Sequence, residues 1–70
     1  MMRYAIVIEK TPNNFSAYAP DLLGCAATGA TLAEVQQQIK EAIEFHLEGL
    51  REEGLPIPQP TTLCEYVEAW

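Results

Sequence analysis

The sequence predicts an α+β fold in the order β-β-β-α-β: a three-stranded antiparallel meander and a fourth strand, with one long helix packed on one face. Three observations carry this. Residues 4–28 hold three short runs of β-branched and small apolar residues, separated by clusters of Pro, Asn, Asp and Gly. From Leu32 the apolar period changes to steps of three and four, and it holds to Leu50. After a Pro-rich connector, residues 61–70 return to strand composition with Leu63, Cys64, Tyr66, Val67 and Trp70. At 70 residues the chain is expected to form one domain over 1–70, near the lower size limit for independent folding.

The first strand is expected over Tyr4–Glu9, Y-A-I-V-I-E. Alternation puts Tyr4, Ile6 and Ile8 on one side and Ala5 and Val7 on the other, so both faces call for cover. The helix can supply one cover, and a partner or another segment the other. Lys10–Asn14 is a compact turn signal, and Phe15–Ala19 resumes the strand to complete a hairpin. Pro20 fixes its own φ, removes a donor and biases Ala19 toward an extended conformation. Asp21 is expected to satisfy nearby backbone N–H groups, and Gly24 to take a positive φ. Cys25–Thr28 reads as a short buried strand of small residues that Gly29 ends.

Thr31 and Glu34 fit a capping box, in which the Thr hydroxyl accepts from the N–H three residues on and the Glu carboxylate reaches back. The helix is expected from Leu32 to about Glu53, roughly 33 Å. Its apolar stripe is Leu32, Val35, Ile39, Ala42 with Ile43, His46 with Leu47, and Leu50. Gln37, Lys40, Glu41, Glu44, Glu48, Arg51 and Glu52 lie opposite. Gly54 supplies a left-handed C′ residue and Pro56 blocks a restart. Gly49, inside the helix, costs about 1 kcal/mol against Ala and is either a site of close backbone approach or a tolerated defect. Leu55–Pro60 is expected to be a rigid extended connector.

The formal net charge of −6 repels phosphate backbones, so the expected partner is a basic protein and not a nucleic acid. No 18-residue apolar run and no leader-like segment occurs, so a cytoplasmic chain without membrane contact is expected. In that reducing setting Cys25 and Cys64 read as two buried thiols. Chemistry is poorly represented. The carboxylates are scattered over a strand end, a turn, the helix exterior and residues 65–68, unlike the converging set of a two-metal nuclease. Ser16 and His46 have no triad around them, and the Gly24–Gly29 spacing lacks a following Lys-Ser/Thr. Arg3, Lys10, Lys40 and Arg51 are too dispersed for an RNA-binding strip. No catalytic residue, cofactor or metal is therefore expected. The chain reads as a small acidic interaction module, not an enzyme, that associates as a homo-oligomer, dimer or higher.

One ordered set of residues resembles a known family. Pro20-Asp21-Leu22-Leu23-Gly24-Cys25, then Gly29-x-Thr31 and Glu34, then Glu41-Ala42-Ile43, then Gly54-x-Pro56-Ile57-Pro58 is similar to the HicB antitoxins, over nearly the whole chain. The resemblance implies a partial ribonuclease-H-like β-β-β-α-β layer without the full catalytic carboxylate set. It implies as partner a HicA-type toxin, small, basic and mRNA-cleaving. Leu23 stands where the family's turn commonly has proline, and on the sequence to residue 70 the family's C-terminal DNA-binding module is not expected, which places autoregulation by this chain alone in doubt. On this reading the acids that meet the toxin's RNA-binding surface are Glu41, Glu44, Glu48 and Glu52, with Glu65 and Glu68. A stand-alone oligomeric module of the same fold is the alternative. A residual nuclease would require cleavage that depends on Glu9 or Asp21.

Overall fold

Three short strands arise from runs of β-branched, aromatic or small residues between turn signals, and one helix arises where the period changes. In the computed structural model, which describes residues 2–70, these are β1 (Val7–Lys10), β2 (Phe15–Tyr18), β3 (Ala26–Gly29) and α1 (Leu32–Glu52). The sheet order is β1-β2-β3 with both pairings antiparallel. Ile8 lies opposite Ala17, and Ala17 opposite Ala27, so this row shares the face toward the helix. The helix lies over β3 and β2. Its stripe residues Val35 and Ile39 are buried with Ala17, Ala19, Leu22 and Cys25, and Tyr4, Ile6 and Ile8 pack against that cluster.

The connections follow from local chemistry. In the first hairpin the Thr11 N–H donates to the Asn14 carbonyl at 2.8 Å, and Thr11 Oγ1 accepts from the Asn14 N–H at 3.0 Å. The Lys10 ammonium sits 5.7 Å from the Phe15 ring centroid, within cation–π range. The second turn closes through three backbone bonds: Ala19 N–H to Cys25 O, Leu22 N–H to Ala19 O, and Cys25 N–H to Leu22 O. Gly24, at φ +79°, has the left-handed conformation expected there. This turn buries Leu22 and leaves Leu23 95% exposed.

The helix ends as the sequence indicated. Thr31 Oγ1 accepts from the Glu34 N–H at 3.1 Å. Among the described residues the Glu34 carboxylate returns no bond, so only half of the capping box forms. At the other end Gly54, at φ +69°, donates to Arg51 O and Leu55 N–H donates to Leu50 O, a Schellman motif. Gly29 is where strand and helix touch: a Cβ there would lie 2.5 Å from the Val35 nitrogen and 2.9 Å from its Cα.

Four expectations are corrected. The first strand begins at Val7, not Tyr4, because β2 ends at Tyr18 before the Pro20 turn and leaves Tyr4–Ile6 no opposing backbone. The third strand is shifted by one residue and is not buried throughout, since Ala26 and Thr28 point away from the helix and are exposed. Residues 61–70 form no strand: Leu63 and Cys64 line a cavity with Arg3, Tyr4 and Ala5, but among the described residues no strand pairs with 63–70, all of which are exposed. Cys64 is accordingly exposed, whereas Cys25 is buried and its thiol pushed upward in pKa by desolvation.

The helix also outreaches its sheet. Its 21 residues extend about 32 Å, whereas four-residue strands span about 13 Å. Val35 and Ile39 in the N-terminal half are buried, while Ile43 and Leu47 further along are only half-buried.

Candidate partner-binding surface

The overhanging half of α1 presents a distinct outer surface. Glu41, Glu44, Glu48 and Glu52 are all exposed and recur at steps of three and four, forming one acidic stripe. Gln37 Nε2 donates to Glu41 Oε2 at 2.7 Å, which tethers the first of these carboxylates to its own helix. Glu65 and Glu68 are exposed as well, but they sit on the separate segment after Thr62 and not on the helical stripe.

Phe45 is the residue that the sequence reading passed over. It lies off the buried stripe, four residues after Glu41 and three before Glu48, and is 80% exposed. Helical spacing was the signal that could have found it, because an aromatic 100° or more from the core centre has nothing in its own chain to pack on. Beside it runs an open groove of about 400 Å³ between the overhanging helix and the start of β3, lined by Cys25, Ala26, Ala42, Phe45, His46 and Gly49. A Cβ at Gly49 would meet nothing within 4 Å, so no close approach inside the chain requires this glycine. The surface thus combines an apolar aromatic, a shallow apolar channel and a line of carboxylates. Such a set can bind a cationic partner by charge and anchor it by burial.

The turn residues have structural work instead. Pro20 and Gly24 shape the β2–β3 turn, and Gly29, Thr31 and Gly54 define the ends of β3 and α1. Asp21 does not bond locally as expected. Its Oδ2 accepts from the Thr61 and Thr62 N–H groups at 3.1 and 3.0 Å, and its Oδ1 from their hydroxyls at 3.2 and 2.8 Å. These donors, the Thr62 N–H foremost, hold the carboxyl below the usual range for an aspartate. Asp21 therefore clamps the far end of the connector to the turn. Among the described residues no three His, Cys, Asp or Glu side chains converge in a metal-binding group. Among them, too, no helix is long and apolar enough to cross a membrane.

Similarity to known proteins matches this arrangement. The family described as HicB-like antitoxin of bacterial toxin–antitoxin systems matches residues 4–69. An uncharacterized 14.9 kDa protein of Haemophilus phage HP1 is 38% identical over 66 residues, covering 94% of this chain and 50% of its own length. The present chain thus spans about half of that relative. A UPF0150 protein of Helicobacter pylori is 43% identical over 49 residues, covering 70% of this chain and 68% of its own. Among solved structures, a chain of a HicA3 and HicB3 toxin–antitoxin complex superposes with a TM-score of 0.72 at 41% identity, covering 84% of this chain and 69% of that one. On the strength of both sequence and fold, the chain belongs to the HicB-like antitoxin family.

Proposed function

We propose that this protein is an antitoxin that binds and neutralises a HicA-type toxin in the cytoplasm by direct protein contact, without catalysis. The observation that carries the reading is the solved neighbour, which comes from a toxin–antitoxin complex and is 41% identical to this chain. The physical argument is electrostatic. A toxin that cleaves mRNA must present cationic surface to phosphates, and a carboxylate stripe can occupy that surface. In this arrangement Glu41, Glu44, Glu48 and Glu52 form the charged rim, while Phe45 enters the partner as the apolar anchor. Rim charges chiefly speed association, and a buried aromatic chiefly slows dissociation.

The test is binding kinetics with a purified HicA-type toxin. Raising ionic strength from about 0.01 to about 0.15 M shortens the screening length from about 30 to about 8 Å and should slow association. Changing all four helix acids to Lys should remove most of that salt dependence and weaken the complex, with the circular-dichroism spectrum unchanged. Phe45→Ala should speed dissociation about tenfold or more. If affinity and salt dependence survive both changes, the outer face of α1 is not the inhibitory surface.

A further inference from the structure

Among the described residues two features lack a strand partner, and each has the form the other needs. The first is the segment Leu63–Trp70. Its large apolar side chains are almost fully exposed: Leu63 at 86%, Tyr66 at 102%, Val67 at 90% and Trp70 at 113%. Four such side chains within eight residues make a larger apolar surface than soluble monomers commonly leave open. Among the described residues, the bonds to Asp21 from Thr61 and Thr62 are the last hydrogen bonds along the chain. The second feature is β1. It is an outer strand of the sheet, and its free side carries a row of backbone groups with no neighbouring strand. Tyr4–Ile6, which continue it toward the N-terminus, are apolar and unpaired as well.

We propose that residues 63–70 of one copy add as a strand to the outer edge of β1 in a second copy, and reciprocally. Composition fits: as a strand the segment would put Leu63 and Val67 on one face and Tyr66 and Trp70 on the other. The edge it would join is apolar on both sides too, through Ile6 and Ile8 on one and Val7 on the other. Length fits: eight residues reach about 26 Å, against about 23 Å for Tyr4–Lys10. The starting point is fixed, because Asp21 holds Thr61 and Thr62, and the Tyr4 hydroxyl donates to the Pro58 carbonyl. From there Leu63 and Cys64 line a cavity with Arg3, Tyr4 and Ala5 of their own chain, and Glu65–Trp70 continue exposed and without strand pairing. Donor and acceptor surfaces lie in the same chain, so a reciprocal exchange can close as a two-fold pair with no open end.

Area decides between a stable pair and a passing contact. Tyr66 and Trp70 alone bring about 400 Å² per copy. With the matching surface on two receiving edges, the exchange exceeds the roughly 1,200 Å² of a specific interface.

Trp70 is the only tryptophan of the chain, so its fluorescence reports on this segment alone. Sedimentation equilibrium of the whole chain up to tens of micromolar should show a dimer. Over the same concentration range Trp70 emission should shift to the blue and resist quenching by acrylamide. Successive strand N–H groups face opposite edges, so either Tyr66→Pro or Val67→Pro must remove a donor from the new ladder. At least one of these variants should be monomeric with its helical circular dichroism retained. Three results would overturn the proposal: a monomer with exposed Trp70 throughout, a dimer indifferent to both prolines, or a monomer with Trp70 shielded at every dilution. The last would mean that the segment folds back onto its own β1.

Discussion

Gly29→Ala is the substitution that most directly probes how the helix is seated. At an unconstrained site, replacing Gly by Ala stabilises a fold by about 0.4–1 kcal/mol, because it removes freedom from the unfolded chain. At Gly29 the added carbon would lie 2.5 Å from Val35 N, 2.9 Å from Val35 Cα and 3.0 Å from Glu34 C. All three neighbours are backbone of the first helical turn, so no rotamer change relieves the overlap. The N-terminus of α1 must move away from β3, which loosens the Thr31 cap and the fully buried Val35 together. Overpacking costs about 1–3 kcal/mol, and a clash with immovable backbone belongs at the upper end, about 3 kcal/mol. Against the roughly 4–10 kcal/mol available to a chain of this size, that is a large fraction. Urea unfolding followed by circular dichroism, with a slope of about 1 kcal/mol/M, should show the midpoint falling by about 3 M. An unchanged or raised midpoint would refute the close approach. Rescue by Val35→Ala would refute its backbone origin, since truncating that side chain leaves the three clashing atoms in place.

Gly49→Ala should behave oppositely and raise stability by about 1 kcal/mol, because its Cβ projects into open space; a loss in the same urea assay would contradict that geometry. Thr31→Ala should cost ~1 kcal/mol and Glu34→Ala distinctly less, because only the hydroxyl half of the capping pair is formed; equal costs would show a reciprocal bond in solution. Ile39→Ala, at a buried site, should cost about 2–5 kcal/mol, and Leu47→Ala on the overhanging half should cost less than Ile39→Ala. Asp21 gives a pH prediction. Its folded pKa is below its unfolded one, so its contribution is full above about pH 4 and lost as pH falls through the folded value. Amide exchange at Thr61 and Thr62 should quicken in that acid range, and Asp21→Asn should remove the dependence. An Asp21 titration midpoint in the folded chain at or above the ordinary 3.8 would show that the clamp does not form.

Local chemistry was legible in the sequence wherever one residue type answers one backbone demand. Gly24 and Gly54 adopt positive φ as their positions require, Thr31 caps the helix, and the three-to-four period sets the helix to within a residue at its end. The meander order followed from turn residues between short apolar runs. The acidic stripe on α1 could also be read directly, since exposure on a helix depends on spacing that sequence displays. Quantities that depend on what stands opposite could not be read this way. Strand composition in residues 61–70 expressed propensity, but pairing depends on how the segment meets a neighbouring edge, and only the tertiary arrangement shows that among the described residues no such pairing forms. The partners of Asp21 are forty residues away, a distance that no local rule for aspartate in a turn can span. Gly29 is required by the packing of Val35 over it, and Gly49 is not required by any contact in this chain. That Phe45 lies off the core stripe is legible from helical spacing, but the groove beside it is not, because that groove is a relation between α1 and the start of β3 and is written in neither alone.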